Sequence, residues 1–230
     1  MAFETLVYRA PTTLPKTLRL HIPPSPRGVI LMLHGTFGNS AFVEKTEARY
    51  VALKAISKGY AVLAPEAEEA VAGDLNGDGK PRWDVALNGS NTDLQALDSL
   101  LALLAAGGRL SASLPRYVIG MSNGGAMATA LGAVAGSGAG VTAAQSRGLA
   151  TDFQAAGLVD AAMLFNTPTA DIAAQATAMP TRLTMRLPTL SALSPAQQRD
   201  VMSQIAVMRA EHEMFSDWAS RSLRWFAAYP

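Results

Sequence analysis

The chain has 230 residues, of which 49% are hydrophobic, and this length suits one α/β domain with a sizeable core. A formal net charge of +1 and the absence of Lys or Arg runs exclude a strongly basic surface of the kind that binds nucleic acid. Because the chain has no cysteine, it cannot form disulfides, use a thiol nucleophile or bind a metal through thiolates.

Membrane and targeting segments are not visible in the sequence. No apolar run is long enough to cross a bilayer, and residues 1–10 lack the charged and apolar regions of a signal peptide. We therefore expect a cytoplasmic protein, or a secreted or periplasmic one whose signal peptide has been removed. Neither a repeat nor a domain boundary is visible, so residues 1–230 are expected to form a single domain. Nothing in the sequence pattern specifies an oligomeric state.

The first part of the chain alternates predicted strands and helices. An alternating segment at 16–22 predicts an early antiparallel strand, and the continuous apolar run at 29–33 predicts a strand buried on both faces. Residues 44–58 have helical periodicity and stop at Gly59, and residues 60–65 predict the next buried strand. This alternation favours a parallel sheet with right-handed crossovers.

A Gly- and Asn-containing loop, residues 34–40, follows the strand at 29–33. Such a loop can present backbone N–H groups to a ligand, and Thr36 or Phe37 is expected to supply one donor to a developing oxyanion. His34 is placed in the substrate-binding loop. It comes too early in the chain to be a general base, so structural packing is the favoured role for its ring.

Residues 66–89 form an irregular excursion that contains Asp74-Leu75-Asn76-Gly77-Asp78-Gly79. This run matches the first half of a calcium-binding loop, but Val85 stands where a bidentate Glu is expected. A turn capped by its own Asp and Asn side chains is therefore favoured, and no metal site is assigned. Trp83 either lines a substrate groove or anchors the loop as a buried aromatic residue.

Residues 115–128 predict a short buried strand, a sharp turn and a helix. They contain Gly-x-Ser-x-Gly at Gly120, Ser122 and Gly124, and glycines on both sides of the serine let strand and helix backbones approach closely. The turn would expose the Ser122 hydroxyl and leave the N–H of Asn123 to donate to an oxyanion. The alternative is a Gly/Ser turn in an ordinary doubly wound protein.

The remaining predicted elements continue the alternation. They are a helix capped by Thr92 and ending at Gly107, strands over 161–165 and 180–187, and helices over 194–210 and 215–228. Asn166 follows the strand at 161–165, at the carboxyl end where open α/β sheets bind their ligands, and is assigned to substrate binding.

The order of these pieces resembles the α/β-hydrolase superfamily. The likeness covers residues 29 to about 165 and is carried by His34-Gly35 after a strand, by the strand that ends in Pro65, and by Gly120-Met121-Ser122-Asn123-Gly124-Gly125. The superfamily implies a mostly parallel twisted sheet with helices on both faces, here with little or no lid.

Within the superfamily, the closest likeness is to esterases and depolymerases related to polyhydroxybutyrate depolymerase and feruloyl esterase. That group has a Trp-containing loop and an Asp near a helix start in the places of Trp83 and Asp93. The resemblance implies a serine hydrolase that cleaves small-molecule or polymeric carboxylic esters through an acyl-enzyme on Ser122, with the triad order serine, acid, histidine. It implies no metal and no organic cofactor.

His212 is the only histidine after the nucleophile, and it precedes the final helix, where the family places its general base. The acid departs from the family pattern, because residues 186–191, where an Asp-bearing loop is expected, contain no carboxylate. Asp171 is assigned as the acid from its place after the Asn166 loop. Asp200 and Glu211 are the other nearby carboxylates.

Two other functions stay open at this stage. The missing acid would suit a non-catalytic α/β-hydrolase-like binding protein. The same nucleophile would also serve an acyltransferase that passes the acyl group to an alcohol or amine instead of water.

Overall fold

A computed structural model of the chain describes residues 2–86, 90–136 and 219–228. Its strands are β1 (Glu4–Tyr8), β2 (Lys16–His21), β3 (Val29–Leu33), β4 (Ala61–Ala64) and β5 (Arg116–Gly120). Its helices in these ranges are α1 (Thr46–Ser57), α2 (Glu68–Ala72), α3 (Thr92–Ala106), α4 (Asn123–Gly136) and α5 (Ala219–Ala228), with a 3-10 helix over Ser40–Glu44. The five strands form one open sheet in the order β1-β2-β4-β3-β5.

Strand direction in this sheet is mixed. β2 lies antiparallel to both β1 and β4, whereas β3 lies parallel to β4 and to β5. All strands of the described sheet other than β2 therefore run the same way, and the predicted mostly parallel α/β sheet is confirmed. Every residue of β3 is buried, as expected of a central strand covered on both faces.

Side-chain alternation along β3 divides the core into two layers. Val29, Leu31 and Leu33 pack with residues of α3 and α4, while Ile30 and Met32 pack on the opposite side with residues of α1 and α5. Helices thus cover both faces of the described sheet, as predicted. Burial of each of these side chains is worth about 1.5–3 kcal/mol.

The described part of the predicted final helix is α5, which packs on α1 and β5. The ring of Phe226 stacks on Tyr117 with their centroids 4.5 Å apart, and Tyr117 meets Tyr60 edge-on at 5.7 Å. Aromatic pairs in these arrangements are worth about 0.5–1.5 kcal/mol beyond their buried area. Across the described residues, no helix combines the length and the hydropathy needed to cross a bilayer.

Two helix boundaries differ from the prediction. The helix expected over 44–58 is divided by Lys45, whose extended backbone (ψ 146°) separates the 3-10 helix from α1. The N-cap of α3 is Asn91 instead of Thr92, because the Asn91 side chain accepts a hydrogen bond from the N–H of Leu94 at 2.9 Å. Asn also donates through its amide, and Asn91 uses this group to bind the carbonyls of Asp84 and Ala86.

A buried ion network joins β2, α2 and α3. Lys16 is 0% exposed, and its Nζ lies 3.1 Å from Asp93 Oδ1 and 3.0 Å from Glu68 Oε2. Burial raises the pKa of Asp93, against the opposing effect of the Lys16 ammonium and of backbone N–H donors. Because three charged groups leave water together, the network fixes geometry more than it adds net stability.

Replacing Lys16 with Met should lower the free energy of unfolding by roughly 3–5 kcal/mol, because it leaves two carboxylates buried without their cation. Urea unfolding at pH 7 measures the loss. The loss should shrink as the pH falls, since a protonated carboxyl group needs no cation.

Arg109→Met provides a matched control, because Arg109 makes an ion pair with Glu4 at the surface. The side chains of Arg109 and Glu4 are 35% and 48% exposed. Loss of such a pair changes stability little. Equal losses in the two variants would contradict the role given to Lys16.

Candidate active site

Ser122 lies at a sharp turn between β5 and α4. Its φ is 55°, in the left-handed region that residues other than glycine rarely adopt, and the residue is exposed. Holding a non-glycine residue in this conformation costs roughly 1–2 kcal/mol. The packing around the turn therefore has to impose it.

Glycines on both sides of Ser122 allow three stretches of backbone to meet. A Cβ atom on Gly120 would lie 2.0 Å from the carbonyl oxygen of Gly124, and a Cβ atom on Gly124 would lie 2.3 Å from that of Leu33. No side chain fits at these distances. The strand, turn and helix predicted at 115–128 are present, and the spacing of the glycines has a steric reason.

The loop after β3 packs against this turn. A Cβ atom on Gly35 would lie 3.2 Å from the Cβ of Ser122, so the loop and the serine are in contact. The N–H of Phe37 donates to the carbonyl of Pro81 at 2.8 Å, which removes Phe37 from the two candidates for an oxyanion donor. Among the described residues, the N–H groups of Thr36 and Asn123 have no acceptor; Asn123 follows Ser122 in the chain, and Thr36 follows the glycine that packs on Ser122.

His34 is buried at 0% exposure, and both of its ring nitrogens have partners. Nε2 accepts from the N–H of Ala67 at 3.1 Å, so Nδ1 carries the proton and donates to the carbonyl of Gly35 at 2.8 Å. Burial lowers the pKa of His34 to about 4. Its placement among the substrate-binding residues is corrected, since the ring is neutral, enclosed and engaged in packing.

Trp83 is also buried, at 1% exposure, and its ring lies against that of His34 with centroids 4.8 Å apart. The indole Nε1–H donates to the carbonyl of His34 at 2.8 Å. Of the two roles predicted for Trp83, the anchor of the loop is the one that the contacts support. Its assignment to substrate binding is corrected for the same reason.

Three consecutive backbone N–H groups in the Trp83 loop are bound by side chains. Arg82 donates to Glu69 Oε2 at 3.0 Å, Trp83 to Asn123 Oδ1 at 2.7 Å, and Asp84 to Asp93 Oδ2 at 2.9 Å. Sequence reasoning used Asn123 only through its backbone and did not identify the other acceptors. The one sequence feature that pointed to these contacts was Asp93, an Asp near the start of a helix.

The Asp74 loop closes on itself as the Asx-turn alternative predicts. The Asp74 carboxylate accepts from the N–H groups of Gly77 at 2.9 Å and Gly79 at 2.6 Å, and Asp78 makes an ion pair with Arg82. In the ranges that the structure describes, no group of three or more His, Asp or Glu side chains is placed to hold a metal ion.

Three sequence-assigned residues, Asn166, Asp171 and His212, lie outside the described residues. The same holds for the other two candidate acids, Asp200 and Glu211. The general base, the acid and the Asn166 contact therefore stay predictions from the sequence.

No protein-family model and no curated protein matches the chain. Solved structures do match, among them a dienelactone hydrolase from Anabaena variabilis, which is 21% identical over 57% of this chain and 57% of that chain with a TM-score of 0.45. An S-formylglutathione hydrolase from Agrobacterium tumefaciens is 19% identical over 56% and 51%, with a TM-score of 0.43. A carboxyl esterase from Bacillus coagulans is 20% identical over 60% and 42%, with a TM-score of 0.39. The chain thus spans about half the length of these structures, and such identities concern the fold alone.

Ser122→Gly should be more stable than Ser122→Ala by roughly 1 kcal/mol. Glycine adopts φ of 55° without strain, and part of this gain is offset by the greater freedom of glycine in the unfolded chain. Alanine removes the hydroxyl and keeps the strain, so it is the matched control. Chemical unfolding of both variants measures the difference, and equal stability would show that the turn is not strained.

His34 should make the protein sensitive to acid between pH 6.5 and about 4. Its folded-state pKa is depressed, so in this window the unfolded chain binds the proton that the folded chain refuses, and stability falls as the pH falls. The loss should total roughly 3 kcal/mol and level off below the folded-state pKa.

His34→Gln keeps an acceptor for Ala67 and cannot take up a proton, so its stability should vary less over this window. Asp93 is present in both proteins, and its contribution cancels in the difference. Parallel stability curves for the two proteins from pH 7 to pH 4 would contradict the role given to His34.

Proposed function

We propose that this chain is a serine hydrolase of the α/β-hydrolase type that cleaves carboxylic esters through an acyl-enzyme on Ser122. One observation carries the proposal: Ser122 is held exposed in a left-handed conformation at the start of α4, next to Asn123 and in contact with the loop that carries Thr36, and the N–H groups of Asn123 and Thr36 have no acceptor in the described residues. Strain of this kind persists where the surrounding structure imposes it, and it concentrates at functional sites. Unpaired N–H groups beside a hydroxyl suit the negative charge of a tetrahedral intermediate.

In the proposed reaction, the Ser122 oxygen forms a bond to the ester carbonyl carbon as His212 takes the hydroxyl proton. The carbonyl oxygen becomes an oxyanion that accepts from the N–H groups of Asn123 and Thr36. The bond to the alcohol oxygen then breaks, and His212 returns the proton to the leaving alcohol. Water repeats the sequence to release the acid and restore Ser122, and Asp171 is the proposed partner of the imidazole.

The proposed substrates are small-molecule or polymeric esters. The ring of Phe37 supports an apolar contact with the substrate, because it is 70% exposed and lies two residues beyond the glycine that packs on Ser122. Phe37 also has a φ of 61°, so this exposed aromatic residue is held in a conformation that its side chain disfavours.

The test is reaction with a fluorophosphonate probe and hydrolysis of p-nitrophenyl esters of graded acyl length. Wild-type protein should be labelled at Ser122, and Ser122→Ala should be neither labelled nor active. His212→Gln should lower kcat by about 10³-fold or more, because the hydroxyl then lacks a base. Transfer of the acyl group to an added alcohol faster than to water would instead identify an acyltransferase.

His21→Gln is the matched control for His212→Gln, since His21 is a half-buried residue of β2 that pairs with Val62 of β4. It should keep full activity. Absence of labelling in folded wild-type protein, or equal labelling of wild-type and Ser122→Ala, would overturn the proposal and favour a non-catalytic binding protein.

A further inference from the structure

The two candidate oxyanion donors lie on separate loops, Thr36 after β3 and Asn123 after β5. For both N–H groups to bind one oxygen, their separation has to be fixed to within a fraction of an ångström. The strands β3 and β5 are paired up to Leu33 and Gly120, so the ladder ends before either donor is reached. Close packing of Gly35 on Ser122 and of Gly124 on Leu33 brings the two loops together, and hydrogen bonds from residues 81–84 to both loops add to this contact.

Residues 81–84 contact the Thr36 loop at two points. The carbonyl of Pro81 accepts from the N–H of Phe37 at 2.8 Å, and the indole of Trp83 donates to the carbonyl of His34 at 2.8 Å. These two hydrogen bonds bind the residues on either side of Gly35 and Thr36. The peptide that carries the Thr36 N–H is therefore held from both ends by the same short segment.

The same segment contacts the turn after β5 through Asn123. The Asn123 side chain accepts from the N–H of Trp83 at 2.7 Å and donates to its carbonyl at 3.3 Å. A two-point contact fixes orientation as well as distance. Asn123 therefore has two roles. Its backbone N–H is one candidate oxyanion donor, and its buried side chain binds the segment that holds the loop of the other donor, Thr36.

Residues 81–84 are themselves held by charged groups. Glu69 binds the N–H of Arg82, and Asp93 binds the N–H of Asp84. Hydrogen bonds to carboxylates are roughly twice as strong as neutral ones. Asp93 is in turn fixed by the fully buried Lys16. The segment has no regular secondary structure, and these side chains supply the rigidity that a strand would otherwise give.

We propose that residues 81–84 are a strut that sets the separation of the two oxyanion donors, with the Trp83 indole and the Asn123 side chain as positioning residues at its two ends. The inference rests on the proposed function. Neither side chain touches substrate; each acts through the backbone N–H group that it holds. Loss of either end should disturb the transition state and leave ground-state binding of the ester unchanged.

The test compares Trp83→Phe, Asn123→Ala and the double variant. Trp83→Phe removes the indole N–H and keeps an aromatic ring, and Asn123→Ala keeps the backbone N–H. Each should lower kcat for a p-nitrophenyl ester about 10- to 100-fold with KM changed less than about threefold. Affinity for an alkyl boronic acid, which forms a tetrahedral adduct with the serine, should fall in parallel with kcat.

The double variant should lose about as much as the more impaired of the two single variants, and the two losses should not add, because both changes release the same strut. Asn76→Ala is the matched control: it removes an exposed Asn side chain that accepts a hydrogen bond from the N–H of Asp78 in the Asp74 loop, outside the candidate active site. It should keep kcat and boronate affinity. Thermal unfolding identifies any variant that fails to fold, and Trp83→Phe decides the matter if Asn123→Ala does not fold.

Two outcomes separate the strut from the proposed function. If wild-type protein hydrolyses the ester and reacts with fluorophosphonate, but both folded single variants keep kcat and boronate affinity, the strut is overturned alone. If wild-type protein shows neither reaction, both are overturned. A rise in KM with kcat unchanged would also overturn the strut, since it would place these side chains in substrate binding.

Discussion

The structure around Ser122 depends on one close backbone contact, between the start of α4 and the end of β3. Gly124 lies so near the carbonyls of Leu33 and His34 that any larger residue would overlap them. With the helix start fixed there and β5 paired with β3 up to Gly120, the two residues between them have little freedom. The chain reverses within that space only if Ser122 adopts a positive φ. Steric exclusion at a glycine therefore produces both the exposure and the strain of the serine.

Around that contact, side chains accept the hydrogen bonds of backbone N–H groups that belong to no helix or strand. Residues 66–86 leave the sheet after β4 and include only the short helix α2, yet their N–H groups find acceptors on Glu69, Asp93 and Asn123. Two of these acceptors are carboxylates, and Asp93 is buried beside Lys16. Burying charged groups costs free energy, and here the buried charges define the geometry beside the site more than they add net stability. The His34 ring also satisfies irregular backbone: Nε2 accepts from the N–H of Ala67, the residue that precedes α2, and Nδ1 donates to the carbonyl of Gly35 within the loop after β3.

Local patterns in the sequence predicted the frame of the fold. Continuous apolar runs identified β3 and β4, and the glycine spacing identified the turn at Ser122, because both patterns reflect burial and backbone sterics at neighbouring positions. Polar pairings were not predictable in this way. Trp83 and Asn123 are 40 residues apart, and nothing near either residue indicates that their amide groups meet. The same limit explains the choice between Thr36 and Phe37, which depends on the position of the Pro81 carbonyl, and the roles of His34 and Trp83, which follow from contacts that form only in the folded chain. Asp171 and His212 stay predictions, because no described contact involves them.

The placement of α5 has a consequence for how the protein is made. One layer of the core uses α3 and α4, which follow soon after the central strands, whereas the opposite layer needs Leu223 and Phe226 of α5 to cover Tyr60 and Tyr117. During synthesis on the ribosome, the first layer can close as soon as α4 emerges. On the opposite face, α1 emerges early, but Tyr60 and Tyr117 lack their contacts with α5 until that much later segment has left the exit tunnel. For that interval a nascent chain would expose part of these two aromatic rings, and transiently exposed apolar surface of this kind favours aggregation.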